Sequence, residues 1–443
     1  MSIRPMATAE KPTTRPIANL RWWIGGILFA STIINYVDRQ TLSLLAPYLK
    51  VQYHWTNTDY AKIAIAFRVA YTIGQTVFGR VMDRLGTRRG LSLSVVWYSL
   101  VSMATAAANG LYSFTGFRFL LGAGESPNWP AATKAVSEWF PSRERGLATA
   151  LFDSGSSVGG MVAPFIILPI YFRWGWRPAV MIPGMLGFLW LIVWRWLYHS
   201  PEQHPRISAA ELGMIVADKA TGVKGSSRTP LRWGQLLKFR QTWGTIIARS
   251  LTDPVWFFVT DWFPIYLVAK GIELRSNLIA IWIPFLLADL GNFFGGAMSG
   301  HLIKRGWSVG AARKALVVFG GIGVTVLIPT ILTTNVYVIT VLFASATFAY
   351  ASFSTMANVL PTDLFHSESV ASVSGLSGTG AGIGTIIAFY LIGHFSDLRQ
   401  ATGTHSFDPI VVVAGLVPFV GMILVLLLVR NTRASEEGIL RRI

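Results

Sequence analysis

The sequence predicts an all-α, polytopic membrane protein of twelve transmembrane helices arranged as two pseudo-symmetric six-helix bundles. Three observations predict it. Of 443 residues, 52% are hydrophobic and only 13% charged, with a mean hydropathy of +0.49, more apolar surface than one soluble core of this size needs to bury. The apolar residues fall into runs of about 20 or more, long enough at roughly 1.5 Å rise per residue to cross a bilayer core. An internal repeat also lays one half of the chain on the other at an offset near 225.

Twelve such runs are placed in order: 21–46, 58–81, 90–109, 111–138, 147–170 and 177–198, then 243–268, 276–302, 314–333, 335–360, 370–394 and 408–430. An even number returns both ends to one face. Of the 38 Lys and Arg residues, 25 fall on that face, seven on the other and six inside spans. The positive-inside bias puts both termini in the cytoplasm and accounts for the net charge of +17 without a nucleic-acid partner. The partner implied by the spans is the lipid bilayer.

Residues 1–20 are polar, with Pro5, Pro12 and Pro16, and read as a cytoplasmic tail and not a cleaved signal peptide. The first bundle covers 21–198, a cytoplasmic linker 199–240, the second bundle 241–430 and a C-terminal tail 431–443. The linker holds Pro201, Pro205, Gly222 and Gly225, and its ISAAELGMIVADK stretch predicts a short surface helix. The repeat is clearest where FPSRERGLATALFDSGSSVGG from Phe140 is echoed by FHSESVASVSGLSGTGAGIGT from Phe365. A weaker echo joins GRVMDRLGTRR from Gly79 to GHLIKRGWSVGAARK from Gly300, with Lys304 in the place of Asp83. There is no cysteine, which excludes disulfides and thiolate metal sites.

A charge at mid-bilayer costs roughly 2.5–3.5 kcal/mol even on the lenient insertion scale, so charged residues inside spans point to a bundle interior or a solute pathway. Span 1 carries Asn35, Tyr36, Asp38, Arg39, Gln40 and Thr41. The planar fork of Arg39 suits a carboxylate, and a direct bond to Asp38 is poor geometry because neighbouring helix residues point about 100° apart. In span 4, Arg118, Gly122, Glu125 and Trp129 share one helical face. A carboxylate beside a guanidinium in apolar surroundings is poised to bind and release a proton; a fixed Arg118–Glu125 pair is the alternative. Span 2 places Arg68, Thr72, Gln75 and Gly79 on one face with Tyr71 beside them. Span 5 supplies Asp153, Ser154, Gly155, Ser156 and Ser157, a run that serves either a solute or close helix packing.

The second half holds Arg249, Asp253, Trp256 and Thr260 on one face of span 7, with Asp261 alongside and Pro254 and Pro264 positioned to bend the helix. Asp289 and Asn292 share a face of span 8. Span 10 has Ser352, Ser354, Thr355 and Asn358, and span 11 sets Ser377 and Thr379 among Gly375, Gly378, Gly380, Gly382 and Gly384. No H-E-x-x-H, P-loop or G-x-S-x-G occurs, so the chain is not expected to be an enzyme.

Between spans 2 and 3, Gly79, Asp83, Arg84, Gly86, Arg88 and Arg89 resemble the signature of the major facilitator superfamily. NYVDRQ in span 1, RFLLGAGESPNWPA in span 4 and EWFPSRERGLATALFDSGSSVGGMVAP before and in span 5 resemble its anion:cation symporter family, which includes bacterial hexuronate and D-galactonate transporters and animal sialin-like carriers. ARSLTDPVWFFVTDWFPIYL and IPFLLADLGNFFGG look closest to the hexuronate branch. The resemblance spans nearly everything from 20 to 430.

It implies a monomer of the bacterial inner membrane that works by alternating access, importing a sugar acid with protons. The substrate would be a hexuronate such as glucuronate or galacturonate, or an aldonate such as galactonate. No cofactor is expected; H+ is the coupling ion, with Na+ left open. By resemblance Asp38 and Glu125 carry protons, Arg118 gates them, and Tyr36 and Tyr71 touch the sugar acid. The expected substrate set is Arg39, Tyr36, Tyr71, Asn35, Gln75, Ser156, Ser157, Trp256, Ser352, Thr355 and Thr379. Asp83, Arg84 and Arg88, with Arg143 and Arg145 of WFPSRER, would stabilise one access state. Two departures are visible: Ser156 stands where the family often has an amide, and span 11 lacks the Asn of D-galactonate carriers. An exchanger or exporter of another organic anion is the alternative on the same fold.

Overall fold

The structure, a computed structural model, describes residues 15–55, 57–221, 231–259, 263, 266–267, 270–272, 278–401 and 408–429. Among these residues the regular structure is helical. The first half comprises α1 (Leu20–Tyr53), α2 (Asn57–Leu85), α3 (Thr87–Ala104), α4 (Leu111–Glu125), α5 (Asn128–Trp139), α6 (Ser142–Trp174) and α7 (Trp176–Leu197). The linker contributes α8 (Ala209–Thr221) and α9 (Trp233–Leu236). The second half comprises α10 (Arg240–Phe257), α11 (Leu278–Lys304), α12 (Val309–Gly323), α13 (Val336–Leu364), α14 (Ser367–Ala401) and α15 (Asp408–Leu428).

Local chemistry sets these boundaries. A single left-handed glycine reverses the chain between α2 and α3 (Gly86, φ 76°) and between α6 and α7 (Gly175, φ 84°), a conformation that a Cβ would strain. Asn335 caps α13 by accepting from the amide of Tyr337 at 2.9 Å, and Ser308 caps α12 by accepting from that of Ala311 at 3.3 Å. Pro329 lies in the tightened 3₁₀ stretch Val324–Leu332 that extends α12.

Span 4 departs from its expected continuous form. It is broken at Ser126 and Pro127 into α4 and α5. Pro127 has no N–H for the carbonyl of Ala123, and the Ser126 hydroxyl donates to that carbonyl instead at 2.8 Å. Ser94 of α3 donates to the next carbonyl, Gly124, at 2.7 Å. Glu125 therefore ends its helix, and Trp129 belongs to a second helix and not to the face of Arg118 and Glu125.

Seven segments among the described residues are long and apolar enough to cross a membrane: α3 and α12 with their 3₁₀ extensions, α6, α7, α13, α15 and the first part of α14. The other spans either carry the charged residues of interest or run into residues outside the described set, which include Thr260, Asp261 and Pro264 of span 7. Apolar side chains such as Ile65, Phe165, Ile192, Leu286, Val341 and Leu427 point outward, the inversion that lipid as solvent requires. Each half has its own buried core: α1 packs on α6 and α7, and α3 on α4 and α7, while α13 packs on α11 and α12, and α10 on α14 and α15.

The repeat is visible in the helix ends. Phe140 and Phe365 are the extended residues after α5 and α13, and α6 and α14 start two residues later, at Ser142 and Ser367. The halves meet mainly through α2 against α14 and α6 against α11. Approach is close enough that a Cβ on Gly296 would lie 2.5 Å from the Gly146 carbonyl oxygen, and one on Gly375 only 2.1 Å from that of Gln75.

The expected surface helix is present as α8, and it docks on the first half. Glu211 accepts from the amides of Leu20 and Arg21, each at 3.1 Å, and pairs with the Arg21 guanidinium at 2.8 Å, while Ile215 enters the core. This end of the molecule, with the start of α1 and the end of α15, is called the linker end below.

Candidate functional site

The site is built around Arg39. Its Nε donates to Glu125 Oε2 at 2.6 Å, and its guanidinium lies over the rings of Tyr71 (4.4 Å), Tyr36 (5.0 Å) and Phe67 (5.3 Å). Helix geometry makes this assembly: Tyr36 and Arg39 are three apart on α1, Phe67 and Tyr71 four apart on α2, and Glu125 closes the end of α4. The Glu125 side chain is fully buried, whereas Arg39 keeps 20% exposure, so anything in water reaches the pair through Arg39. Arg39 Nη2 and Glu125 Oε1 are buried without partners, as are both amide atoms of Asn35 one turn back on α1 and the Trp129 indole nitrogen. Orphaned buried donors and acceptors concentrated in one place mark a polar ligand site.

The hydrogen bond of Glu125 is not to Arg118, the alternative that helix period offered. Glu125 goes to Arg39, and Arg118, buried on α4, lies within electrostatic reach of both Asp38 and Glu125. Asp38 turns away from Arg39, as their angular separation requires. Its Oδ1 accepts from Ser102 of α3 at 2.9 Å and its Oδ2 is buried without a partner. Two acids and two guanidinium groups thus share the interior of the first half.

Other expected contacts sort by position. Tyr36 and Tyr71 face Arg39. Ser156 folds back on the Asp153 carbonyl at 2.7 Å and lies in hydrogen-bonding reach of Tyr36. Ser157 donates across the seam to Asp289 of α11 at 2.8 Å. Trp256 is partly exposed between Tyr350 (stacked, 6.1 Å) and Phe285 (edge-on, 5.5 Å). Four others are engaged within the protein. Ser352 donates to the Gly291 carbonyl at 2.9 Å and Thr355 to Asn292 at 3.0 Å, both fully buried, so they tie α13 to α11 inside the second half. Thr379 donates to the Thr72 carbonyl at 2.7 Å, and Gln75 fills the space left by the missing Cβ of Gly378; both serve the α2–α14 seam.

A second set of bonds closes the linker end. Asp83 pairs with Lys134 at 2.9 Å and accepts from the amides of Ala371 (3.2 Å) and Ser372 (2.7 Å) in α14; Lys134 also donates to the Ser367 carbonyl at 2.8 Å. Arg145 reaches Asp363 at 3.0 Å and the Thr362 carbonyl at 2.9 Å. Arg313 bonds Asp363 at 2.9 Å and the Ser142 carbonyl at 2.7 Å. Of the expected gating residues, Asp83 and Arg145 therefore cross between halves. Arg88 donates instead to the Arg195 carbonyl, Arg143 lies beside Glu144 and Met214, and Arg84 is exposed. Sequence reasoning missed that Lys134, Arg313 and Asp363 join these bonds between the halves. The echo at Phe365 was the available signal, since it places Asp363 where Glu138 stands in the first half.

Comparison with known proteins agrees with this architecture. The chain matches the Major Facilitator Superfamily over residues 28–389. It is 30% identical to the hexuronate transporter of Escherichia coli (strain K12) over 427 residues, 95% of this chain and 97% of that protein. It is 33% identical to the galacturonate transporter of Dickeya chrysanthemi over 310 residues, 69% of this chain and 89% of that one. Its fold superposes on the proton:xylose symporter XylE, bound to 6-bromo-6-deoxy-D-glucose, with a TM-score of 0.73 at 13% identity, covering 95% of this chain and 98% of that one. Two helical halves, a buried polar site inside the first, and a family match over most of the length make this chain a member of the major facilitator superfamily, a membrane transporter and not an enzyme.

Proposed function

We propose that the chain imports a sugar acid, a hexuronate or aldonate, together with protons, by alternating access. The observation that carries the reading is the Arg39–Glu125 bond at 2.6 Å with Arg39 Nη2 buried and unpartnered. A substrate carboxylate needs the guanidinium fork, and Glu125 occupies one edge of it. A proton on Glu125 removes its charge and loosens that edge, so proton and anion bind together. When the proton leaves on the other side, Glu125 takes Arg39 back and expels the anion. Asp38, with Arg118 in electrostatic reach of both acids, gives the proton an inner resting place. The rings of Tyr36 and Tyr71 line the approach and offer hydroxyl groups to a polyhydroxylated solute.

The hexuronate and galacturonate relatives support this substrate class, and the partly exposed guanidinium of Arg39, the member of its pair that water reaches, favours an anion. The bonds at the linker end would hold the site shut on the cytoplasmic side, with both termini in the cytoplasm of a bacterial inner membrane and the chain acting as a monomer. H+ is the proposed coupling ion because protonating Glu125 cancels the charge that holds Arg39 in a buried bond. Proteoliposome uptake of galacturonate under an imposed pH gradient tests the proposal. Accumulation that follows an inward proton gradient is expected; uptake indifferent to it refutes coupling, and preference for a different organic anion favours the exchanger reading.

A further inference from the structure

A second group of ionisable side chains sits where the halves meet, and the mechanism above leaves it without a part. Asp153 on α6 is buried, at 6% exposure; Asn358 of α13 donates to its Oδ2 at 3.1 Å across the seam, while its Oδ1 is buried with no partner. Arg249 binds Asp253 one turn along α10, through Nε at 3.1 Å and Nη2 at 2.9 Å, which leaves Arg249 Nη1 and Asp253 Oδ1 buried and unpartnered. Half-buried Asp289 of α11 accepts from Ser157 of α6, again across the seam. Asp153 lies within electrostatic reach of Arg249, Asp253 and Asp289, and the remaining ionisable groups facing it are Tyr36 of α1 and Tyr350 of α13. Arg68 of α2 stands over the Phe257 ring, one turn beyond Asp253.

Three carboxylates thus share this region with Arg249, and even counting Arg68 the negative groups are in excess, close to where an anion must bind. Carboxylates crowded together out of water do not all stay ionised. A proton on Asp153 Oδ1, which has no other partner, neutralises one of them without needing further ligands. Both seam bonds, Asn358 to Asp153 and Ser157 to Asp289, join α6 to the second half, so a separation of α6 from α11 and α13 would break them and open Asp153 to water.

We propose that Asp153 is a second proton carrier, loaded on Oδ1 while the halves meet at the linker end and discharged to water on the other side when they part. Each anion then moves with one proton more than the Arg39–Glu125 site supplies. This count rests on the transport reading above; the titration of Asp153 does not.

Infrared difference spectra of the purified full chain, titrated with pH in the absence of sugar acid, test the titration. One carboxylic-acid carbonyl component is expected that the wild type and E125Q share and D153N alone lacks, the Glu125 component being instead present in D153N and lost in E125Q. In D289N, which removes a neighbouring negative charge, the midpoint of the band moves to lower pH. That shared component persisting unchanged in D153N overturns the proposal; if D153N does not fold, an unshifted midpoint in D289N does so. In proteoliposomes, wild-type galacturonate uptake should rise with an inside-negative potential, and D153N should lose that response while still following a pH gradient. D153N that keeps both responses in wild-type proportion overturns the second-proton count. If the wild type takes up no galacturonate, the substrate reading fails and the infrared titration still decides whether Asp153 carries a proton.

Discussion

Replacing Glu125 by Gln tests whether a proton and an anion compete through one guanidinium. Glu125 holds the Nε edge of Arg39 at 2.6 Å from a fully buried position, so an incoming carboxylate takes the whole fork only when Glu125 lets go. A hydrogen bond to a charged group contributes roughly 1.5–3 kcal/mol net, so an anion should bind about tenfold to about 150-fold more weakly to the ionised Glu125 state than to the protonated one. Linkage fixes the sign: protonation favours anion binding, so affinity falls as pH rises, by at most about tenfold per pH unit for one proton. The Gln side chain imitates the protonated acid, so Glu125→Gln should bind galacturonate at the tight limit with a flat pH profile. It should also exchange labelled for unlabelled substrate without accumulating it. Calorimetric titration across about pH 5 to pH 8 reads the first expectation and proteoliposome uptake the second. A wild-type pH slope in the variant, or normal gradient-driven accumulation, refutes the reasoning.

Four further outcomes are expected. Arg39→Lys keeps the charge but loses the fork, so galacturonate binding should weaken about tenfold or more, read in the same calorimeter. Asp83→Asn removes the charge that binds the α14 amides; losing one charge-assisted bond, roughly 1.5–3 kcal/mol, should shift the population toward opening at the linker end by about tenfold to about 150-fold. Spin-label distances between cysteines introduced on α6 and α11, in a chain with no native cysteine, measure it, and an unchanged distribution counts against the latch. Gly296→Ala sets a methyl 2.5 Å from the Gly146 carbonyl oxygen, a clash of backbone that cannot turn aside, and should slow transport by blocking closure while leaving the Arg39 site able to bind. His204, between α7 and α8, is held neutral: burial pushes its pKa below the ordinary 6.5, with Nε2 on the Leu197 carbonyl and Nδ1 accepting from the Arg206 amide. The unfolded linker binds the proton first, so docking of α8 should weaken as pH falls through and below 6.5, visible as faster hydrogen exchange in α8.

The sequence by itself determined the membrane class, the spans, the two-fold repeat and the identity of the buried acids and arginines. Those follow from hydropathy, period and charge, which are local properties of the chain. The residues for the Arg39 site were legible for the same reason: few charges lie in apolar runs, and each demands a polar interior. What only the tertiary structure decided is who bonds to whom. Arg39 and Glu125 are 86 positions apart, and helix period alone left Glu125 equally free for Arg118. The break at Ser126 and Pro127, which detaches Trp129 from that face, depends on hydroxyls from the same and a neighbouring helix replacing lost backbone donors. Ser352, Thr355, Gln75 and Thr379 look like solute contacts in one dimension because hydroxyls and amides that bridge helices have the same composition as those that meet a ligand. Their partners lie on other helices, and the pairing of helices is set by packing across two halves, which no local pattern encodes.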